Sequence, residues 1–137
     1  MALVFRRHQK EFLARLDVGA LETAIRAAER ETTGEIRVAV LPRLRGGLEK
    51  AVVHAAERLG MTRTKERNGV LILVDPAHRT FLVWGDTAIH ERVGENFWKE
   101  VAAAIETRFR AGDFTGGLVH GIEAAGRELA AHFPAGR

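Results

Sequence analysis

Glu35, Glu66, Asn68 and Asp86 are the side chains with the most chemistry to offer. They stand at the ends of apolar runs, within ETTGEIRV (31–38) and TKERNGVLILVDPAHRTFLVWGD (64–86). Three carboxylates and an amide are hard oxygen donors, the set that Ca²⁺ or Mg²⁺ takes. Soft metals ask for cysteine or paired histidine, and neither is present. The same residues also have an ordinary use. All four aspartates (17, 75, 86 and 113) fall at element boundaries, where Asp is favoured as a cap or turn former. Asn68 precedes a glycine, and Arg67 can neutralise Glu66 or Glu35 without an ion.

Whether these residues meet depends on the elements between them. Residues 5–16 carry Phe12, Leu13 and Leu16 and read as a short helix. Leu21, Ala24, Ile25 and Ala28 recur at helical spacing, with Gly34 as the expected C-terminal cap. Ile36, Val38 and Val40 alternate as one face of a strand that Pro42 ends. Leu48 to Leu59 returns to helical period and Gly60 closes it.

The run VLILV (70–74) is apolar throughout, as a strand covered on both faces must be. A five-residue turn, Asp75 to Arg79, sends TFLVW (80–84) back antiparallel. Two helices follow, one with Phe97, Val101, Ile105 and Phe109, the other with Leu118, Ile122, Ala125 and Leu129. Gly112 separates them and Asp113 or Thr115 caps the second.

The order α-β-α-β-β-α-α is that of a three-layer α/β/α sandwich, Rossmann-like, around a small mixed sheet of three to four strands. A strand-helix-strand crossover makes the first two strands parallel. Glu35, Glu66, Asn68 and Asp86 then converge at one end of the sheet, with His90 and Glu91 on the next segment. Asp75, His78 and Arg79 lie at the other end beside Pro42 to Arg45, and Asp113 falls nearer that end.

Composition removes most other chemistries. In 137 residues there is no cysteine, serine or tyrosine, so disulfides, thiolate sites and Ser, Cys or Tyr nucleophiles are excluded. The six histidines include no HxxxH or HExxH pair, which excludes the common zinc peptidase pattern. The glycines of GDFTGGLVHG (112–121) match neither a dinucleotide fingerprint nor a P-loop. A net charge of +3 comes from basic residues interleaved with glutamates, not from blocks, so no nucleic-acid partner is expected. No apolar run approaches membrane-spanning length, and the N-terminus is not a secretory signal. Cytoplasmic localisation is the expectation.

The motifs ETTGEIRV (31–38), RNGVLILV (67–74), WGD (84–86) and FRAGDFTGGLVHGI (109–122) occur in order across about residues 20 to 130. Together they resemble the TPM domain, a family of thylakoid-lumen, photosystem-repair and receptor-modulator proteins. The resemblance implies an α/β/α sandwich, divalent-cation binding, calcium especially, in some members, and acid phosphatase activity in a plant member. It assigns Glu35, Asn68, Asp86 and Asp113 to the functional motifs.

Many relatives have a signal peptide before the domain and a membrane helix after it; neither is found here, so a stand-alone soluble form is expected. The expected organisation is a helical extension (1–19), one TPM-like domain (20–133) and a tail (134–137). Many members are richer in glycine where this chain has GDTA (85–88), so an ion site built on that loop would differ in geometry. Two functions follow from the resemblance and the residues together. The first is a cation-binding interaction or regulatory module with a protein partner. The alternative is a metal-assisted phosphatase acting on phosphomonoesters, in which Asp86 or Glu66 would serve as the base and Arg67 would hold the phosphate.

Overall fold

A computed structural model describes residues 7–41 and 47–136 of the chain. Pro42 to Arg45, expected beside the second sheet end, therefore lie outside the described residues, as do the first residues of the expected N-terminal helix.

The apolar periods fold as read. Helix α1 spans Arg7–Ala14 and α2 spans Val18–Glu29. Asp17 starts α2 by accepting a hydrogen bond from the Ala20 amide at 3.0 Å, which satisfies one of the helix's orphan donors. Strand β1 (Ile36–Val40) leads through α3 (Leu48–Arg58) and a 3₁₀ turn (Met61–Arg63) to β2 (Val70–Asp75). Strand β3 (Thr80–Gly85), α4 (Thr87–Arg92), α5 (Glu95–Arg110) and α6 (Phe114–His132) complete the chain. Gly60 and Gly112 have φ of +74° and +80°, the left-handed conformation with which helices commonly end.

The sheet has three strands in the order β1-β2-β3. β1 pairs parallel with β2, Ile36 opposite Val70, and β2 pairs antiparallel with β3, Val70 opposite Gly85. That mixed pairing brings the residues before β1, before β2 and after β3 to one end. Every residue of β2 is buried, and its alternate side chains enter two separate cores. Val70, Ile72 and Val74 join α2, α5 and α6 in the larger core. Leu71 and Leu73 meet Val52 and Ala56 of α3 and Met61 in the smaller one. The three layers are thus α3, the sheet, and the remaining helices. Phe12 brings α1 into the larger core, packed against Phe114 and Phe109.

Gly34 does not cap α2. That helix ends at Glu29, capped by Arg30, and Gly34 lies in the following turn. A Cβ at Gly34 would stand 3.0 Å from the Asn68 carbonyl and 3.1 Å from Leu129. Close approach of the two strand-entry loops, not helix termination, is why a glycine sits there.

Candidate functional site

The sheet end carrying Gly85 is built by three loops tied through their backbones. The Val70 amide donates to the Glu35 carbonyl at 2.8 Å, Asp86 to Gly69 at 3.0 Å and Ala88 to Arg67 at 3.1 Å. The residues flanking the strands are therefore neighbours, as the strand directions require.

Asp86 lies at the centre of this end. Its carboxylate is 3% exposed. Arg67 Nε donates to its Oδ2 at 2.7 Å and Arg67 Nη2 to its Oδ1 at 2.9 Å, a bidentate fork. The Thr87 amide adds a third bond to Oδ1 at 2.8 Å, so the same carboxylate caps α4. Arg67 reaches it from a left-handed backbone, φ +53°. Its guanidinium is held above its usual pKa, first by the hydrogen bond to Asp86 and then by that residue's charge.

Asn68 is 1% exposed. Its Nδ2 donates to Thr33 Oγ1 at 3.0 Å, and its amide donates to Thr64 Oγ1 at 3.2 Å. Its Oδ1 is buried with no hydrogen-bond partner. A buried carbonyl oxygen left unpaired is costly, so this atom marks a place where a donor or a cation would be stabilised.

The other expected ligands stand further from this pair. The Glu35 side chain is 45% exposed and 4.0 Å from Arg37 Nη2. Glu66 is exposed on the loop before Arg67, and His90 and Glu91 are exposed on α4. Asp113 is at the opposite sheet end. Its neighbour Phe114 packs on Phe109, which packs on Phe81 at the start of β3. There it accepts from the Gly116 amide at 2.9 Å and from Arg108 Nη1 at 3.1 Å, capping α6. Those two bonds, the amide's first, hold its carboxyl below the usual aspartate range.

Among the described residues no three His, Cys, Asp or Glu side chains converge as a cation cage. The donor types at the Gly85 end, an unused amide oxygen and a buried carboxylate on neighbouring loops, are those a hard cation takes. The arrangement is not a closed cage, because Arg67 occupies both Asp86 oxygens. That carboxylate is also unavailable as a general base while the fork is closed.

Sequence reasoning passed over Thr33, Thr64 and Glu29. Glu29 receives the Ile36 amide at 2.8 Å and Arg37 Nη1 at 3.0 Å, fixing the start of β1. The two threonines were legible only as hydroxyls one turn from a glycine or asparagine. At the far end Asp75 is also buried, with Oδ2 2.9 Å from His78 Nδ1 across the β2–β3 turn.

Residues 7–128 match the family described as the TPM domain. Among solved structures, the chain is similar to the NMR structure of the BA42 protein from the psychrophilic bacterium Bizionia argentinensis. That likeness has 39% identity and a TM-score of 0.82, over 87% of this chain and 82% of that one. An N-terminal domain from P. gingivalis shares the fold at 20% identity and TM-score 0.68, over 84% of this chain and 74% of that one. The N-terminal domain of the cg2496 protein from Corynebacterium glutamicum does so at 19% and 0.60, over 82% and 71%. No curated protein matches the chain. No helix among the described residues is long and apolar enough to cross a membrane.

Proposed function

This chain belongs to the TPM-domain family, and on that footing we propose that it is a divalent-cation-binding interaction module whose ion enters at the Gly85 end of the sheet. One observation carries the reading: Asn68 Oδ1 is buried and unpartnered, on the strand-entry loop whose preceding residue, Arg67, holds the buried Asp86 carboxylate. An amide oxygen is an accepted Ca²⁺ ligand, and the half-exposed carboxylate of Glu35 and the exposed one of Glu66 border the same loops. Arg67 competes for Asp86, so the ion binds weakly and its entry is coupled to release of the fork. Asp113 keeps its capping role and is not one of the proposed ligands.

Metal-assisted phosphomonoester hydrolysis is the second reading. Its support is the half-exposed Arg67 guanidinium, a group suited to phosphate. Against it, Asp86 uses the guanidinium's fork and Glu66 is an exposed base with no positioning partner among the described residues. The module reading accounts for more of the geometry.

Calorimetric titration of the chelator-stripped protein with Ca²⁺ and Mg²⁺ tests the proposal. Saturable heat is expected in the parent, lost in Asp86→Ala/Glu35→Ala. Asn68→Asp adds a charged oxygen at the orphan position and should tighten binding by about tenfold. Absence of heat and of thermal stabilisation at millimolar ion would refute it, and with it the metal-assisted phosphatase.

A further inference from the structure

Among the described residues, strand β3 is an edge of the sheet, and its own sequence carries none of the usual edge-blunting features. Between Arg79 and Asp86 it carries no charge and no proline, and its pairing with β2 runs without a bulge from Val70–Gly85 to Asp75–Thr80. Edges of this composition are normally blunted or covered, because their open amides and carbonyls template another strand. Here Phe81, Leu82, Val83 and Trp84 are only half-buried, while their partners on β2 are fully buried.

A depression lies on each face of this edge. The larger, about 980 Å³, runs between α1, β3 and α5. The smaller, about 310 Å³, lies on the α3 side. Leu82, Val83 and Trp98 line both. Alternate β3 side chains already point to opposite cores, Phe81 and Val83 to one, Leu82 and Trp84 to the other. A strand laid along β3 would likewise send alternate side chains into the two depressions.

Charge selects the occupant. Three acids line the larger depression. Asp75 is engaged by His78, Glu106 pairs with Arg110, and Glu11 has a partner of its own. Among the described residues Arg15 donates to the Gly112 carbonyl and stacks on Phe114, and exposed Arg79 has no ion pair. Both arginines sit at the Thr80 end. A strand antiparallel to β3 would finish there, with its C-terminal residues beside them.

We propose that β3 is a strand-addition site for an extended, apolar protein segment that ends in acidic residues. This rests on the interaction-module reading and is independent of the cation. The probe is an acetylated peptide, Val-Thr-Val-Leu-Val-Glu-Glu, titrated into the full chain in chelator while Trp84 and Trp98 fluorescence is followed.

Saturable change is expected, abolished when alternate peptide amides are N-methylated to block pairing. Binding should fall about tenfold for a Lys-Lys-ended peptide, and Arg79→Glu should reverse that preference. No saturable change at millimolar peptide would overturn the inference. So would equal binding of the N-methylated peptide, or a dimer of the free protein with protected β3 amides. Lost peptide binding with intact cation binding would overturn this inference alone. Lost cation binding with intact peptide binding would overturn only the ion site.

Discussion

Gly121 offers the sharpest test of how the helical layer is packed. It lies in the middle of α6, where exchange for alanine would ordinarily stabilise a helix by about 1 kcal/mol. Its surroundings oppose that gain. A Cβ at Gly121 would stand 2.6 Å from Ile105 Cγ1 and 2.7 Å from Ile105 Cδ1, with Ile72 Cδ1 at 3.4 Å. Carbon pairs settle at roughly 3.5–4.0 Å, so Ile105 would have to retreat by about 1 Å. It is β-branched, stiff in a helix, and wholly buried.

Overpacking of this kind costs about 1–3 kcal/mol, and an enclosed, rigid neighbour places it near the top of that range. Set against the propensity gain, Gly121→Ala should destabilise by about 2 kcal/mol, or on the order of 6 °C in Tm. Urea unfolding followed by tryptophan fluorescence measures it, with the slope unchanged. The Ile105→Ala partner removes both clashing atoms, so the double variant should be more stable than the sum of the singles by at least about 1 kcal/mol. A Gly121→Ala protein as stable as the parent would refute the reasoning, because it would mean α5 and α6 can separate freely.

Other consequences are as direct. Asp86→Ala removes the α4 cap and the acceptor of the Arg67 fork; the half-exposed guanidinium rehydrates, so the loss should be about 2 kcal/mol in denaturant titration. A loss under about 0.5 kcal/mol would mean that neither the cap nor the fork contributes to stability. Asp113 has a folded pKa below its unfolded one, so its contribution to stability is complete above the ordinary aspartate value of about 3.9. It fades as pH falls through the lower folded value. Asp113→Asn keeps a capping oxygen but not the charge, so the two proteins should differ in stability above about pH 4 and converge in acid. A pH-independent difference would contradict the assignment. The cation titration and the edge-strand titration complete the set.

Much of the fold was legible in the chain because it is decided within a few residues. Helical and alternating periods located α2, β1, α3, β3, α5 and α6, and an unbroken apolar run located β2; the short α4 (Thr87–Arg92) was legible only as a segment, because six residues are too few to show a period. Gly60 and Gly112 marked helix ends through their own backbone freedom. Strand directions followed from the length of the connections, and with them the meeting of the loops at 35, 67–69 and 86. Gly34 misled, since a glycine near a helix end reads as a cap whether or not another loop crosses it. The glycines of GDFTGGLVHG had only negative meaning in sequence, as a pattern that was not a P-loop. In space Gly117 and Gly121 are the contact of α6 with α5, where a Cβ would meet Phe109 or Ile105 within 3 Å.

By itself the sequence determined that oxygen-donor residues gather at one sheet end, because pairing direction and strand length follow from local pattern. Only the tertiary structure decided which of them touch. Arg67 forks onto Asp86, Asn68 spends its amide nitrogen on Thr33 and keeps an unused oxygen, and Glu35 and Glu66 face outward. Those choices turn on rotamers and on a left-handed turn at Arg67, each set by neighbours distant in the chain. The edge position of β3 belongs to the same class: a run of apolar residues states that a strand exists, whereas its place in the sheet depends on what else packs beside it.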